Sequence, residues 1–171
     1  MFRTVCALIV MTCLWVSGCQ QQQQVVQTDA IESEAKEILN RYLEIFNVGN
    51  MNLVENTIDS AHFVMEPNFP EKIVGRDGFT QWVEGYRNTF SDFNLAIIEM
   101  LVKDSVIVVH WTVTGTQDGP MGDLPPTGKK IKVSGLTLFR TANGRITEEW
   151  VYYDRLESRT QLGFTLVPPE M

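Results

Sequence analysis

The sequence predicts an α+β fold in which a curved antiparallel sheet wraps N-terminal helices. Three observations carry that expectation. Apolar residues recur at helical spacing only in the first half of the chain, as far as Phe90. Long runs rich in β-branched and aromatic residues fill the second half. Asn143-Gly144 joins the last two runs as a hairpin, because both residues accept positive φ. Helices followed by a meander of strands is the order of an α+β domain, and such a sheet encloses a concave space against the helices.

Asp29-Ala30-Ile31-Glu32 has capping-box spacing, with Asp29 as N-cap. Ile31, Ala35, Ile38, Leu39, Tyr42, Leu43 and Phe46 then form an apolar stripe about four turns long. Gly49 ends it, and Asn50 caps a shorter helix through Leu53 and Val54. His62 to Glu66 reads as a short strand ended by Pro67. Gly75-Arg76-Asp77-Gly78 reads as a turn, and Phe79, Trp82, Val83, Tyr86 and Phe90 mark a second amphipathic helix. Strands are expected over Phe93 to Lys103, Val106 to Gln117, Lys129 to Thr141 and Arg145 to Leu156. Asp118 to Gly128, with Pro120, Pro125, Pro126 and three glycines, reads as a long loop.

The front of the chain has another character. Residues 1–18 hold one charge, Arg3, then an apolar run from Val5 to Val16 and the small pair Ser17-Gly18. This is the pattern of a secretory signal peptide. Val16-Ser17-Gly18-Cys19 resembles the bacterial lipobox, which implies lipidation at Cys19 and anchoring in the cell envelope, facing away from the cytoplasm. A plain signal peptide cut nearby and a short anchor helix are the alternatives. Cys6, Cys13 and Cys19, the three cysteines, all lie at or before the cut, so with Cys19 lipidated the mature chain is expected to have no free thiol and no disulfide. Residues 19–28, with five consecutive glutamines, read as a tether, and residues 29–171 as one domain without internal repeats.

Fourteen Lys+Arg against 21 Asp+Glu give a net charge of -7. A surface of that sign repels phosphate, which excludes nucleic acid and a polybasic membrane patch. Membrane contact is then expected only through the lipid. The two imidazoles, His62 and His110, have no carboxylate at ligand spacing, so no metal is expected. Ser91, Ser134 and Ser158 lack a nucleophile elbow, and Gly115 and Gly119 do not precede a helix as a phosphate loop would.

Period two assigns the strand faces. Ile107, Val109, Trp111 and Val113 point inward, against Val108, His110, Thr112 and Thr114. In the last run Ile146, Glu148, Trp150, Tyr152 and Asp154 are assigned to the concave face. Asp154 would then lie beside aromatic rings. Desolvation there raises a carboxyl pKa toward values useful for proton transfer, so Asp154 is the candidate general acid/base. The other readings of Asp154 are a cap on the following segment or a pair with Arg155, Arg159 or Arg140. Glu148 is a second acid or a partner of Arg140 or Arg145. Trp82, Tyr86, Trp111, Trp150 and Tyr152 are candidates to line an apolar substrate pocket, or to fill the core.

Gly115-Thr116-Gln117-Asp118-Gly119, Pro125-Pro126-Thr127-Gly128-Lys129, Asn143-Gly144-Arg145-Ile146 with Glu148 and Trp150, then Asp154 and Gln161-Leu162-Gly163 occur in a fixed order. Phe90-Ser91-Asp92 and Gly75 to Phe79 accompany them. From about Ala30 to Gly163 the chain resembles the SnoaL-like polyketide cyclases, also called ester cyclases, of the nuclear transport factor 2-like superfamily. The resemblance implies a cone-shaped, cystatin-like α+β barrel, dimeric through its sheet. It implies an Asp in the last strand as general acid/base of an intramolecular aldol condensation without metal or cofactor, and that Asp matches Asp154. It also implies a pocket Asn at the end of the first helix, matched by Asn47. Gln117, and Glu66 or Met65, stand where the usual members carry His. The expected activity is cyclisation or isomerisation of a small carbonyl or polyketide-like compound. The alternatives are a non-catalytic envelope lipoprotein holding an apolar small molecule, and a protein whose sheet face around Val108 and His110 docks a partner.

Overall fold

The computed structural model describes residues 29–165 and 167. The signal peptide, Cys19 and the tether expected over residues 1–28 lie outside the described residues. Helix α1 runs over residues 29–48, and Asp29, expected as its cap, is already helical. Its buried face is Ala35, Ile38, Leu39, Tyr42, Ile45 and Phe46, the stripe that the i, i+3, i+4 spacing dictates. Gly49 adopts a φ of +83° and donates to the carbonyls of Glu44 and Ile45, closing the helix as glycine does without steric cost.

After a 3₁₀ turn (Met51–Leu53) and the single-turn α2 (Val54–Thr57), the chain enters β1 (Ile58–Met65). β1 is longer than the His62–Glu66 strand read from sequence. The two-residue β2 (Ile73–Val74) leads into α3 (Gly75–Thr89). Gly75-Arg76-Asp77-Gly78 is therefore the first turn of α3 and not a separate turn; Gly75, at φ +72°, redirects the chain from strand to helix. The meander follows: β3 (Asn94–Lys103), β4 (Val106–Thr116), β5 (Lys130–Ala142) and β6 (Arg145–Tyr153). Asn143 and Gly144 turn the last hairpin at φ +52° and +70°. The run expected to reach Leu156 stops at Tyr153, where α4 (Arg155–Gln161) begins behind its cap.

The strand order is β2-β1-β6-β5-β4-β3, with both edges open. β3 to β6 pair antiparallel in sequence order, but β1 lies parallel to β6. The sheet is thus mixed, where a wholly antiparallel one was expected. Register shifts in β1, β3 and at the β5–β6 pair bend it around α1 and α3.

The shift at β6 decides the site. Arg140 pairs with Glu148, and the next residue, Thr141, pairs with Ile146, so Thr147 is the extra residue of a bulge. The inward set therefore runs Ile146, Glu149, Val151, Tyr153. The strict alternation that placed Glu148, Trp150, Tyr152 and Asp154 inward is one residue out of phase beyond Ile146. β4 has no such shift, and Ile107, Val109 and Trp111 are buried as its alternation predicts. Opposite Trp111 stands Gly135, where a β-carbon would overlap the indole and the Tyr152 carbonyl oxygen. Glycine there lets the ring cross β5, and Trp111 Nε1 donates to Thr137 Oγ1 at 2.9 Å.

Candidate active site

β1 and β6 run side by side and each presents a polar, an apolar and a polar residue to the interior. His62, Val64 and Glu66 alternate on β1 and its end; Glu149, Val151 and Tyr153 alternate on β6. Two polar rungs result, separated by valines. In the deeper rung His62 Nε2 lies 2.9 Å from Glu149 Oε1, and the Tyr42 hydroxyl donates to Glu149 Oε2 at 2.8 Å. His62 and Glu149 are wholly buried, so each finds in the other the hydrogen-bond partner that water cannot supply there.

In the outer rung Glu66 is 4% exposed. Its Oε1 accepts from the Tyr153 hydroxyl at 2.7 Å, the Tyr86 hydroxyl at 3.2 Å and Asn68 Nδ2 at 3.1 Å. Its Oε2 accepts the Asn68 backbone N–H at 3.1 Å. Asn68 Nδ2 also donates to the Tyr153 oxygen. Pro67 cannot continue the ladder, and a turn closed by Phe69 N–H on the Glu66 carbonyl folds Asn68 back over the carboxylate.

Glu66 opens on a cavity of about 110 Å³ between the sheet, α1 and α3, with α4 across one end. Phe46, Trp82, Tyr86, Phe93 and Trp111 form much of its wall, with aliphatic residues of β3, β4 and β5. Of the deeper rung only Tyr42 reaches it. Burial in this apolar setting raises the Glu66 pKa, opposed by the hydrogen bonds from Tyr153, Asn68 and Tyr86 and by the charge of Arg155. Burial, reinforced by the neighbouring acid, pushes the Tyr86 and Tyr153 phenols well up, so both remain hydrogen-bond donors at neutral pH. A carboxyl poised in this way can accept a proton from a carbon acid, with two phenols beside it to hold an oxygen.

The residues singled out by sequence divide into two groups. Trp82, Tyr86 and Trp111 line the cavity. Trp150 and Tyr152 do not, because the bulge turns them to the outer face. There Trp150 Nε1 donates to Glu148 Oε2 at 3.1 Å, its ring packs edge-on against Phe63, and Tyr152 is 60% exposed. Asp154 is exposed and outside the cavity; its Oδ1 accepts the Glu157 N–H at 2.9 Å as the N-cap of α4. The capping reading of Asp154 thus describes its place. Asn47 does not line the cavity either. It clamps the end of α1 to β3, donating to the Leu95 carbonyl at 2.9 Å and accepting the Leu95 N–H at 2.8 Å. Glu148 pairs with Arg140 at 3.4 Å. Gln117, buried, braces the 118–128 loop through Gly119, Pro125 and Thr127.

Asn68, Tyr153 and Glu149 were not singled out, and Glu66 was noted only as a position, with Met65, where the usual members of the resembled family carry His. The signal for Glu66 was a carboxylate between an apolar strand and a proline; that for Glu149 was the triplet Thr147-Glu148-Glu149 interrupting an alternating strand. Among the described residues no group of three His, Cys, Asp or Glu could hold a metal ion, and no helix is long and apolar enough to cross a membrane.

The profile of the SnoaL-like polyketide cyclase family matches residues 36–162. Among solved structures, a proposed polyketide cyclase from Acidithiobacillus ferrooxidans is 30% identical, with a TM-score of 0.68 over 77% of this chain and 96% of that one. TsrD from Streptomyces laurentii is 21% identical, with a TM-score of 0.69 over 77% and 96%. AclR from Streptomyces galilaeus, a proposed hydroxylase, is 17% identical, with a TM-score of 0.67 over 81% and 86%. No curated protein matches the chain.

Proposed function

The chain belongs to the SnoaL-like polyketide cyclase family, and from that premise we propose that it is an acid–base enzyme for a small, largely apolar carbonyl compound, with Glu66 in the role that sequence assigned to Asp154. The observation that carries this reading is the buried Glu66 carboxyl opening into an apolar cavity while two phenols hold it.

The ionised carboxylate takes a proton from the carbon beside a substrate carbonyl, leaving an enolate. Oε1 already accepts three hydrogen bonds and Oε2 one, so Oε2 has the free lone pair for that proton. Once Glu66 is neutral it holds the phenols less strongly, and Tyr86 and Tyr153 can turn their O–H groups to the enolate oxygen. The enolate carbon then attacks a second carbonyl of the same molecule, and Glu66 returns the proton to the new alkoxide. In an isomerisation the proton returns to another carbon. Each step uses only groups of the chain and substrate. Ligand capture without turnover is the second reading, favoured by walls that are apolar away from the Glu66 end.

Hydrogen–deuterium exchange at the α-carbon of small cyclic ketones and β-diketones, followed by NMR, separates the two. Catalysed exchange that falls about 10²-fold or more in Glu66→Gln and survives in Asp154→Asn supports the acid–base reading. Binding with no catalysed exchange supports capture.

The same proposal includes an assembly and a location. Leu101, Val108, Leu138 and Trp150 are register neighbours in one row across the outer sheet face, which supports a homodimer packed through that face. The lipobox resemblance supports a domain tethered to a membrane through lipidated Cys19, outside the cytoplasm. Mass spectrometry of the N-terminal peptide tests the latter.

A further inference from the structure

The domain buries two carboxylates on the inner face of its sheet and treats them differently. Glu149 has an imidazole as its partner, with His62 Nε2 at 2.9 Å. Glu66 has hydrogen bonds and the more distant charge of Arg155, but no ion pair in contact: the ion pairs among the described residues are Lys36–Glu32, His62–Glu149, Arg76–Glu55 and Arg140–Glu148. An ionised carboxylate out of water with no counter-charge in contact is costly, and Glu66 lines the cavity.

We propose that the cavity binds a small tertiary ammonium ion, its single N–H donated to Glu66 Oε2 and its alkyl groups set among the rings of Trp82, Tyr86, Trp111 and Tyr153. Three features of the geometry lead there. Glu66 Oε1 is bonded by both Tyr86 and Tyr153, so the carboxylate stands where two aromatic pairs meet. Trp82 and Tyr86 lie 5.8 Å apart at 75°, and Trp111 and Tyr153 lie 6.1 Å apart at 60°. Rings so inclined wall a space on several sides, as an alkylammonium ion requires for cation–π contact in more than one direction. Oε2, with one hydrogen bond, has room for one donor more.

Tertiary substitution fits the remaining constraints. Alkyl groups around the nitrogen cut its hydration, so entering an apolar cavity costs less than for a primary amine, whose three donors the site could not all satisfy. A cavity of about 110 Å³ limits the ion to a few carbons on each arm. Of the arginines of α4, Arg155 donates to the Pro67 carbonyl, and Arg159, at the α4 end of the cavity, holds its guanidinium over the Phe164 ring. The proposal goes beyond the acid–base reading and requires of it only that Glu66 ionise in the cavity.

The test compares protonated 2-(dimethylamino)ethanol with 3-methylbutan-1-ol, a neutral molecule of the same shape, by calorimetry and tryptophan quenching on the domain and on Glu66→Gln, with circular dichroism to confirm that the variant is folded. Saturable binding of the ammonium at least about tenfold tighter than of the alcohol, with the preference reduced to about twofold in Glu66→Gln, is the expected result. Equal affinity for the two, no binding of the ammonium, or a preference unchanged in Glu66→Gln overturns it. None of these outcomes bears on α-carbon exchange, so the acid–base reading succeeds or fails separately. Where exchange is observed, the ammonium inhibits it competitively.

Discussion

Tyr153 donates a 2.7 Å hydrogen bond to Glu66 across 87 residues of sequence. The parallel pairing of β1 with β6 creates this contact, and it makes the carboxylate the product of both ends of the domain. Removing the phenol oxygen removes one of the bonds that lower the Glu66 pKa against its burial. In Tyr153→Phe the acidic limb of an α-carbon exchange profile therefore moves to higher pH, and exchange at neutral pH falls. A profile that does not move would detach Tyr153 from the acid.

Glu66 also links stability to pH. Its folded pKa is raised by desolvation, so the associated stability is complete below the unfolded value and is lost as pH rises through the folded one. Glu66→Gln has no such proton to lose. Its melting temperature relative to wild type is expected to climb as the pH is raised from about 4 to 8, and a constant difference would contradict the raised pKa.

Asp154 is expected to matter to α4 and not to turnover. Asp154→Ala removes the cap on Glu157 N–H and costs about 1 kcal/mol in urea unfolding. Asparagine caps as well as aspartate, so Asp154→Asn is close to neutral. Exchange rates of both variants match wild type; a large loss in folded Asp154→Asn would return the catalytic role to this residue.

The deeper rung is a stability element. His62→Ala leaves Glu149 buried with Tyr42 as its remaining partner, and a cost of about 3–5 kcal/mol is expected. Adding Glu149→Gln to His62→Ala then costs less than the single change alone would, because it removes the carboxylate that His62→Ala has left without its partner. Denaturant titration of the cycle gives the coupling directly.

Leu101→Glu with Leu138→Glu places like charges on the outer sheet face, next but one in the ladder through Val108. Sedimentation equilibrium is expected to show the dimer mass for the wild-type domain and half that mass for the variant. Equal masses would mean that this face is not the interface.

What the sequence revealed followed the continuity of its patterns. Trp82 and Tyr86 lie on an unbroken helical stripe and Trp111 on an unbroken alternation, and all three reach the cavity. Trp150, Tyr152 and Asp154 lie beyond the Thr147 bulge, where counting by two fails. The bulge left no glycine or proline to mark it. Glu66, noted only where the resembled family carries His, was not read as the site's acid because its partner strand is parallel and distant, and nothing local announces such a pairing. The helix after Tyr153 was missed for a related reason: Asp154 was assigned to a strand face, although an aspartate three residues before Glu157 is also a cap.

The parallel β1–β6 pair also sets an order of assembly. β3 to β6 join through adjacent hairpins and close short loops, whereas β1 must find β6 across most of the domain at a larger entropic cost. The meander therefore gathers first, and docking of β1 is the slow event. Refolding monitored by far-ultraviolet circular dichroism would recover much of the sheet signal before any activity dependent on Glu66 returns.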